Sequence, residues 1–362
     1  MNIEQLYEKA LDIMPLTEEE GLFLYENAPL AELMFVGSLL RKIHNPGNFA
    51  GWMIDRNVNI TNICFSRCMF CNFCRKKNST GAYVTSIDEY IKKIDELYAL
   101  GGNQLLLQGG MNPDLGLDFY TNLFGELRER YPGLKLHALG PPEIVYLSKK
   151  EGLSYSEVLS RLMSSGLDSL PGAGAEILSD RVRKIVSPAK ADTQEWSDVM
   201  RTAHRLNLPT SATMMYGHVE TLRERIGHLV KIREIQAEKP EGHHGFISFI
   251  PWPYMDKGTR LNKEMGIKSG YNAPDYLRII AISRIMLVNV KNIQASVLTT
   301  GKRTGMLSLH SGANDLGSVM IEENVVSSAG RSFRFSPEEL RALIIEAGFT
   351  PARRNQKYEY IE

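Results

Sequence analysis

The sequence predicts an α/β fold, a (β/α)8 barrel of the TIM type that follows an N-terminal helical extension. Short apolar runs alternate with amphipathic stretches of helical period along most of the chain, a pattern typical of parallel sheets with helical crossovers. The apolar runs number eight, the strand count of a closed barrel. Glycine-rich or polar residues follow most of these runs, so we expect a site at the carboxyl ends of the strands.

The strand-like runs and the helices between them can be placed by residue number. The strand-like runs span residues 58–63, 104–108, 135–139, 168–171, 210–215, 245–250, 292–297 and 317–321. Apolar periodicity predicts helices over 86–100, 117–130, 142–165, 193–206, 221–237 and 274–288. Because each return to the same sheet needs such a crossover, we expect neighbouring strands to be parallel.

The first 50 residues are expected to form a helical extension ahead of the barrel. Thr17 and Glu20 form a capping-box pattern at the start of one helix. Apolar residues then keep a helical period until Asn45-Pro46-Gly47 interrupts it. We therefore predict two units, the extension over 1–50 and a barrel with C-terminal helical elements over 51–362.

Composition narrows the class of protein. The chain has 362 residues, and its 42 Lys and Arg residues equal its 42 Asp and Glu residues in number. No excess of positive charge would attract a nucleic-acid backbone or an anionic membrane. The first residues lack a signal-peptide pattern, and no stretch approaches the ~20 apolar residues of a membrane helix. We expect a soluble, cytoplasmic protein that acts on a small molecule, with no nucleic-acid or membrane partner.

All four cysteines of the chain lie between positions 64 and 74. This clustering indicates metal ligation or redox chemistry, since disulfides that stabilise a fold usually join distant segments. Cys64, Cys68 and Cys71 have the spacing C-x3-C-x2-C and directly follow a predicted strand. Three thiolates on one loop can hold three irons of a 4Fe–4S cluster and leave the fourth iron open to a chelating small molecule.

Other uses of four cysteines fit this spacing less well. Structural zinc usually takes two pairs separated by a dozen or more residues. A ferredoxin-type carrier uses C-x2-C-x2-C-x3-C followed by proline. Cys74 lies outside the C-x3-C-x2-C frame. It could replace Cys71 as a ligand, act as a nearby donor or be a bystander, and we favour the bystander.

These features resemble the radical S-adenosylmethionine (SAM) superfamily, whose signature C-x3-C-x-aromatic-C follows the first barrel strand. The resemblance implies two cofactors, a 4Fe–4S cluster held by Cys64, Cys68 and Cys71, and SAM chelated to the open iron. It also implies reductive cleavage of SAM to methionine and a 5′-deoxyadenosyl radical, with a flavodoxin- or ferredoxin-type electron donor. Phe70 would pack against the adenine of SAM.

The same resemblance implies further SAM-binding residues. Gln108, Gly109 and Gly110 would leave backbone exposed for the methionine moiety. Glu176 would hold the ribose hydroxyls, a role that suits a carboxylate because it can accept two hydrogen bonds from a vicinal diol.

Longer stretches resemble one family within the superfamily, the cyclic dehypoxanthine futalosine synthases of the futalosine route to menaquinone. These stretches span residues 108–117, 137–143, 171–178, 200–206, 249–253 and 312–317. The resemblance implies an oxidoreductase in which the 5′-deoxyadenosyl radical removes a ribose hydrogen from dehypoxanthine futalosine. The resulting carbon radical then adds to the aromatic ring of the substrate, and loss of an electron and a proton gives the cyclised product.

Two alternatives stay open. Aminofutalosine synthase shares the glycine-rich stretch and the turn over 217–220, and in that enzyme the radical adds to an enolpyruvyl ether. A non-enzymatic iron–sulfur electron carrier belongs to another class, and it predicts that all four cysteines ligate iron.

The remaining candidate residues also follow strands. We expect His137, Gly140 and Trp252 to contact the substrate, because strand ends at this mouth of a barrel face the ligand. Gly140 stands where the family is expected to have Ser. His218 and Glu220 follow the fifth strand and are candidates for catalysis, with a helix N-cap role for Glu220 as the alternative.

Overall fold

The computed structural model describes residues 1–322, 324, 327–330 and 333–361 of the chain. The strands are β1 Phe49–Met53, β2 Asp55–Asn59, β3 Gln104–Gln108, β4 Lys135–Ala138, β5 Leu167–Ser169, β6 Thr210–Tyr216, β7 Phe246–Pro253, β8 Asn292–Ile293, β9 Asp315–Ser318 and β10 Thr350–Arg353.

Helices connect most of these strands. They are α1 Ile3–Leu11, α2 Glu18–Asn27, α3 Leu30–His44, α4 Ile87–Ala99, α5 Leu117–Arg130, α6 Pro141–Glu151, α7 Tyr155–Ser164, α8 Asp180–Val186, α9 Thr193–Arg205, α10 Leu222–Ala237, α11 Arg260–Met265, α12 Ala273–Met286, α13 Val297–Thr300, α14 Lys302–Leu309 and α15 Pro337–Glu346. A single 3₁₀ turn, Ser327–Ala329, precedes α15.

The strands are parallel and lie in three sheets. Their orders are β2-β3-β4-β5, β6-β7-β8 and β10-β1-β9. Parallel bridges join Leu170 to Thr210 and Gln294 to Asp315, which links β5 with β6 and β8 with β9. The amide of Ile321 donates to the carbonyl of Asp55 over 3.1 Å, which leads from the end of β9 back to β2. These links run through β2 to β9 in chain order, and the α/β barrel class is confirmed.

The first barrel strand differs from its prediction. The sequence predicts a strand over 58–63, whereas β2 ends at Asn59. Thr61 and Ile63 instead make isolated bridges with Val84 and Arg75, so the chain leaves the barrel before it reaches the cysteines. Two strands, β1 and β10, were not predicted. They pair with each other in parallel, from Phe49 opposite Thr350 onward.

The helices of the first 45 residues pack outside the barrel. α3 lies against α12, and α2 lies against α10. The Arg278 guanidinium donates to the carbonyls of Tyr25 and Ala28 over 3.0 and 2.8 Å, which ties the end of α2 to α12. The division of the chain at residue 50 stays a prediction.

Capping residues fix where several helices begin. Ser86, Asp192 and Thr221 each accept a hydrogen bond from the third residue of the helix they precede, and the acidic residue there bonds back to the cap. This reciprocal arrangement satisfies amides that a helix start leaves unpaired. Within the described ranges, no helix combines the length and the apolarity that crossing a bilayer requires.

Candidate active site

A cavity of about 390 Å³ opens inside the barrel at the carboxyl ends of the strands. Parallel strands bring these ends together at one rim, which is where barrel enzymes place their sites. Most residues predicted to form the site line this cavity. They are Cys64, Cys68, Cys71, Phe70, Gln108, Gly109, Gly110, His137, Glu176 and Trp252, and Cys74 lies beside them.

The cysteine loop is held against the loop that follows β3. The amide of Met111 donates to Sγ of Cys64 over 3.3 Å. Ser66 Oγ lies 3.0 Å from Sγ of Cys68. A Cβ on Gly110 would overlap the carbonyl of Ile63 and the side chain of Cys64. Only glycine permits this close approach of the two backbones.

The four thiols are free, and their environments differ. A hydrogen bond from Cys74 lowers the pKa of Cys64 to about 5, although burial opposes the change. Burial raises the pKa of Cys68 to about 11, and it also raises the pKa of Cys71. The Cys74 thiol donates to the carbonyl of Cys64 over 3.2 Å. Cys74 therefore contacts the first cysteine of the motif rather than standing apart from it.

A buried ion pair faces the cysteines across the cavity. Lys190 Nζ lies 3.1 Å from Oε1 of Glu176 and 5.4 Å from the ring centre of Phe70. Burial alone would lower the pKa of Lys190, but its electrostatic interactions with Cys68, Glu176 and Glu143 raise it overall. Burial raises the pKa of Glu143 to about 7. Lys190 is thus the cation that balances the acidic groups of this wall.

Lys190 was not among the predicted site residues. It lies two residues before the capping residue Asp192 of α9. The sequence around it is typical of a solvated loop. The path of this loop places Lys190 in the wall of the cavity, and no local sequence signal marks that position.

The predicted substrate residues have different positions. His137 and Trp252 line the cavity. His137 Nδ1 lies 2.6 Å from Ser169 Oγ, and burial lowers the pKa of His137 to about 4, so the ring is neutral at physiological pH. Gly140 is not part of the described lining. It is the residue before α6, where an added Cβ would lie 3.0 Å from Cβ of Ala173.

The two catalytic candidates, His218 and Glu220, are also absent from the described lining. The Glu220 carboxylate accepts hydrogen bonds from the amides of Gly217 and His218, at 2.6 and 2.9 Å, and from Arg225 at 2.7 Å. His218 Nε2 donates to the carbonyl of Met215 over 2.9 Å. Burial lowers the pKa of His218. These contacts use both side chains to build the turn after β6.

Comparisons with known proteins agree with this geometry. Residues 58–232 match the radical SAM superfamily, and residues 243–362 match the CofH/MqnC C-terminal region. The chain is 40% identical to cyclic dehypoxanthine futalosine synthase of Streptomyces coelicolor over 349 residues, which cover 96% of this chain and 86% of that protein. The chain belongs to the radical SAM superfamily. The resemblance stated from the cysteine motif is confirmed.

Other relatives of this radical SAM protein carry two different names. The cyclic dehypoxanthine futalosine synthase of Halalkalibacterium halodurans is 37% identical over 361 residues, which cover 100% of this chain and 95% of that protein. A 5-amino-6-(D-ribitylamino)uracil–L-tyrosine 4-hydroxyphenyl transferase of Archaeoglobus fulgidus is 40% identical over 319 residues, with coverages of 87% and 90%. Identity alone does not separate the two reactions.

Solved structures support the radical SAM barrel. The crystal structure of methylornithine synthase superposes with a TM-score of 0.72 at 18% identity, covering 96% of this chain and 97% of that one. The maturase HydG of the [FeFe]-hydrogenase gives 0.74 at 15% identity, with coverages of 98% and 76%. At these identities the likeness concerns the fold alone.

Membership of the superfamily establishes an enzyme whose cofactors are a 4Fe–4S cluster and SAM. The donor set fits this pair of cofactors, because the thiols line one cavity with Glu176 and Phe70. No group of three Cys, His, Asp or Glu side chains in the described part of the chain converges on one ion.

One wall of the cavity was not predicted from the sequence. Asp55, Asn57 and Asn59 of β2 and Gln104 of β3 all line it. Their signal was present in the sequence as polar residues at every second position, since alternate residues of a strand face the same side. The predicted strand starts at residue 58, so Asp55 and Asn57 lie outside it.

Proposed function

We propose that this radical SAM enzyme cyclises dehypoxanthine futalosine to cyclic dehypoxanthine futalosine, a step of menaquinone biosynthesis. The observation that carries the proposal is the position of the C-x3-C-x2-C loop at the cavity inside the barrel. A volume of this order is typical of sites that enclose a small organic molecule. Relatives that bear this name match almost the whole chain, including its C-terminal third.

The side chains of the cavity suit the cofactors and the substrate. The cluster with SAM supplies a 5′-deoxyadenosyl radical when both are bound. We assign Cys64, Cys68 and Cys71 to the cluster and Phe70 to the adenine. The backbone of Gln108, Gly109 and Gly110 and the carboxylate of Glu176 are assigned to the methionine and ribose portions of SAM, as the resemblance implies.

The substrate is assigned to the interior of the barrel, below the cofactors. Trp252 lines the cavity together with Ile247, Ile250 and Leu298, an apolar surface that suits the aromatic ring of the substrate. His137, kept neutral by burial, can exchange hydrogen bonds with the substrate but carries no charge to it. A cavity that excludes water protects a carbon radical from side reactions until the ring closes.

A second candidate is the transfer of a 4-hydroxyphenyl group from tyrosine to 5-amino-6-(D-ribitylamino)uracil. It is favoured by archaeal relatives of that name, which are as similar to this chain as the cyclases are. The addition of the radical to an enolpyruvyl ether, as in aminofutalosine synthase, is a third reaction within the same chemistry.

An assay with three substrates separates these reactions. The anaerobically reconstituted enzyme would be incubated with SAM, dithionite and each substrate in turn, and the products identified by mass. We expect 5′-deoxyadenosine and the cyclised product to form in step from dehypoxanthine futalosine. A 4-hydroxyphenyl adduct of the ribitylaminouracil would contradict the proposal. So would consumption of the enolpyruvyl ether without release of 5′-deoxyadenosine.

We also propose a cytoplasmic location and a flavodoxin- or ferredoxin-type electron donor. A reducing compartment keeps cysteines available as iron ligands, and all four are free thiols here. Reduction of the cluster by purified flavodoxin and its reductase, followed by 5′-deoxyadenosine release, tests the donor.

A further inference from the structure

The wall formed by β2 and β3 carries polar residues along its whole length, with Leu106 between Gln104 and Gln108. Asp55, Asn57 and Asn59 alternate along β2 and face the cavity, and Gln104 and Gln108 do so on β3. Asn57 and Asn59 are each 3% exposed, and Gln104 is 4% exposed. Gln104 and Gln108 are four positions apart along β3. At ~3.3 Å per residue, the wall therefore reaches about 13 Å below the strand ends.

Three amide atoms on this wall have no partner within the described part of the chain. They are Oδ1 of Asn57, Nδ2 of Asn59 and Oε1 of Gln104. A buried polar atom without a hydrogen bond costs free energy, so native proteins nearly always pair such atoms with protein, water or ligand. Unpaired polar atoms on residues that line a cavity therefore indicate a ligand that would pair with them.

The other amide atoms are already held in place. Nδ2 of Asn324 donates to Oδ1 of Asn59 over 3.0 Å. Nε2 of Gln104 donates to Oδ2 of Asp55 over 3.3 Å. Ser318 donates to the other oxygen of Asp55 over 2.5 Å. These contacts leave two acceptors and one donor unpaired on residues that line the cavity.

This combination suits hydroxyl groups. A hydroxyl both donates and accepts, so adjacent hydroxyls can satisfy two acceptors and one donor in turn. A carboxylate or phosphate could accept a hydrogen bond from the donor but could give none to the two acceptors. The carbon edge of an aromatic ring would give no hydrogen bond to either acceptor. β7 stands opposite β3 in the order of barrel strands, and its Ile247, Ile250 and Trp252 give that side of the cavity an apolar surface.

We propose that Asn57, Asn59 and Gln104 form a subsite for the polyhydroxylated part of the substrate, a pentose or pentitol. This inference rests on the proposed function and deepens it. Both named substrates contain such a part, the ribose of dehypoxanthine futalosine and the ribityl chain of the uracil. The depth of Gln104 below the strand ends separates the inner end of this subsite from the ribose of SAM, which is assigned to Glu176 at the rim.

Binding to the holoenzyme tests the subsite without turnover. Reconstituted enzyme with SAM and no reductant would be titrated calorimetrically with dehypoxanthine futalosine and, separately, with the ribitylaminouracil. Asn57→Leu and Gln104→Met replace amides by apolar groups of similar size. Each should raise the Kd of the bound polyol about three- to tenfold, the equivalent of one neutral hydrogen bond.

A matched control comes from the same strand. Leu106 also lines the cavity, so Leu106→Met changes the shape of the lumen without removing a polar atom and should leave the Kd within about twofold. A substrate analogue that lacks one ribose hydroxyl gives a second measurement. Its binding should be weaker than that of the parent substrate in the wild type, and Asn57→Leu or Gln104→Met should abolish that difference. This readout is unaffected by a general loss of stability.

Several results would overturn the subsite. Unchanged Kd values in both amide variants would mean that the wall holds only water. Equal weakening by Leu106→Met would indicate a shape effect, and weaker binding of SAM instead of substrate would assign the wall to the cofactor. Tight binding of the ribitylaminouracil alone, weakened by the same variants, would overturn the cyclase proposal but keep the subsite. If the wild type bound neither compound, both proposals would fail.

Discussion

Lys190 Nζ lies 3.1 Å from Oε1 of Glu176, and the side chains are 17% and 4% exposed. The pair faces the buried thiol of Cys68 and the ring of Phe70 across the cavity. Arg354 is the other Arg or Lys side chain in the described lining, and Asp315 already neutralises it. Lys190 is therefore positioned to balance negative charge where cluster and SAM are expected.

Lys190→Met should impair both stability and cofactor chemistry. It leaves the Glu176 carboxylate buried without its cation, a change that typically costs about 3–5 kcal/mol. We expect SAM-dependent formation of 5′-deoxyadenosine to fall at least about tenfold per cluster. Urea denaturation and the deoxyadenosine assay measure the two effects.

The surface pair between Lys149 and Glu195 provides the control for this variant. Lys149 is 65% exposed, and exposed ion pairs contribute about 0–1 kcal/mol. Lys149→Met should therefore leave stability and activity nearly unchanged. A Lys190→Met enzyme as active as the Lys149→Met enzyme would show that Lys190 has no role at the cofactors.

The cysteines should divide into three ligands and one neighbour. Replacement of Cys64, Cys68 or Cys71 by Ala removes a covalent anchor of the cluster and should abolish cluster content. Cys74→Ala removes the contact with the Cys64 carbonyl and the hydrogen bond that lowers the pKa of Cys64. It removes no predicted ligand, so iron, sulfide and deoxyadenosine formation should stay largely intact. Each variant would be reconstituted anaerobically and assayed for all three. Loss of the cluster in all four variants would indicate a closed site and contradict the enzyme mechanism.

The cysteine loop and the strand ends were predictable because their signals are local. The three predicted ligands lie within eight contiguous residues, and parallel strands bring their carboxyl ends to one rim whatever the details of packing. The pair β1 and β10 was not predictable in this way. Phe49 and Thr350 are partners that stand some 300 positions apart, and neither segment has the alternation of a half-buried strand.

Side-chain roles were the least predictable part of the site. His218 and Glu220 have the residue types of acid–base catalysts, yet the turn after β6 uses both for its own hydrogen bonds. Lys190 has an ordinary local sequence but faces the cavity. Residue type suggests what a side chain can do, whereas the path of the loops decides whether it reaches the cavity.

Glu220→Gln should destabilise the fold with little effect on catalysis. The variant loses the charged acceptor of Arg225 and one of the two hydrogen bonds from the turn amides. Hydrogen bonds to a charged group contribute about 1.5–3 kcal/mol. Asp275 still pairs with Arg225 over 3.3 Å, which limits the effect. Activity per cluster should stay within about twofold.

Glu234→Gln is the control for Glu220→Gln, because Glu234 lies exposed on α10, the helix that follows Glu220. Its free energy of unfolding should change by less than about 0.5 kcal/mol. Urea denaturation and the cyclisation assay would be compared for both variants. A large loss of activity in Glu220→Gln at unchanged stability would restore Glu220 as a catalytic candidate.

The buried His228 should make stability depend on pH. Burial, with a contribution from Arg183, lowers the pKa of His228 to about 3, whereas an unfolded histidine titrates near ~6.5. Below that pH the unfolded chain takes up a proton that the folded chain refuses, so the free energy of unfolding falls as the pH falls. The slope from this one group is about 1.4 kcal/mol per pH unit until the folded ring titrates.

His228→Asn isolates this contribution. The amide of Leu178 donates to Nδ1 of His228 over 3.1 Å, and the Asn oxygen can accept the same hydrogen bond without titrating. Urea denaturation followed by tryptophan fluorescence would be compared for both proteins at pH 8, 7, 6 and 5, at equal cluster content. The two curves of stability against pH should run parallel above pH ~7 and diverge below it, with the wild type falling more steeply. Parallel curves down to pH 5 would mean that the folded state accepts the proton on His228, which the closed packing around this ring opposes.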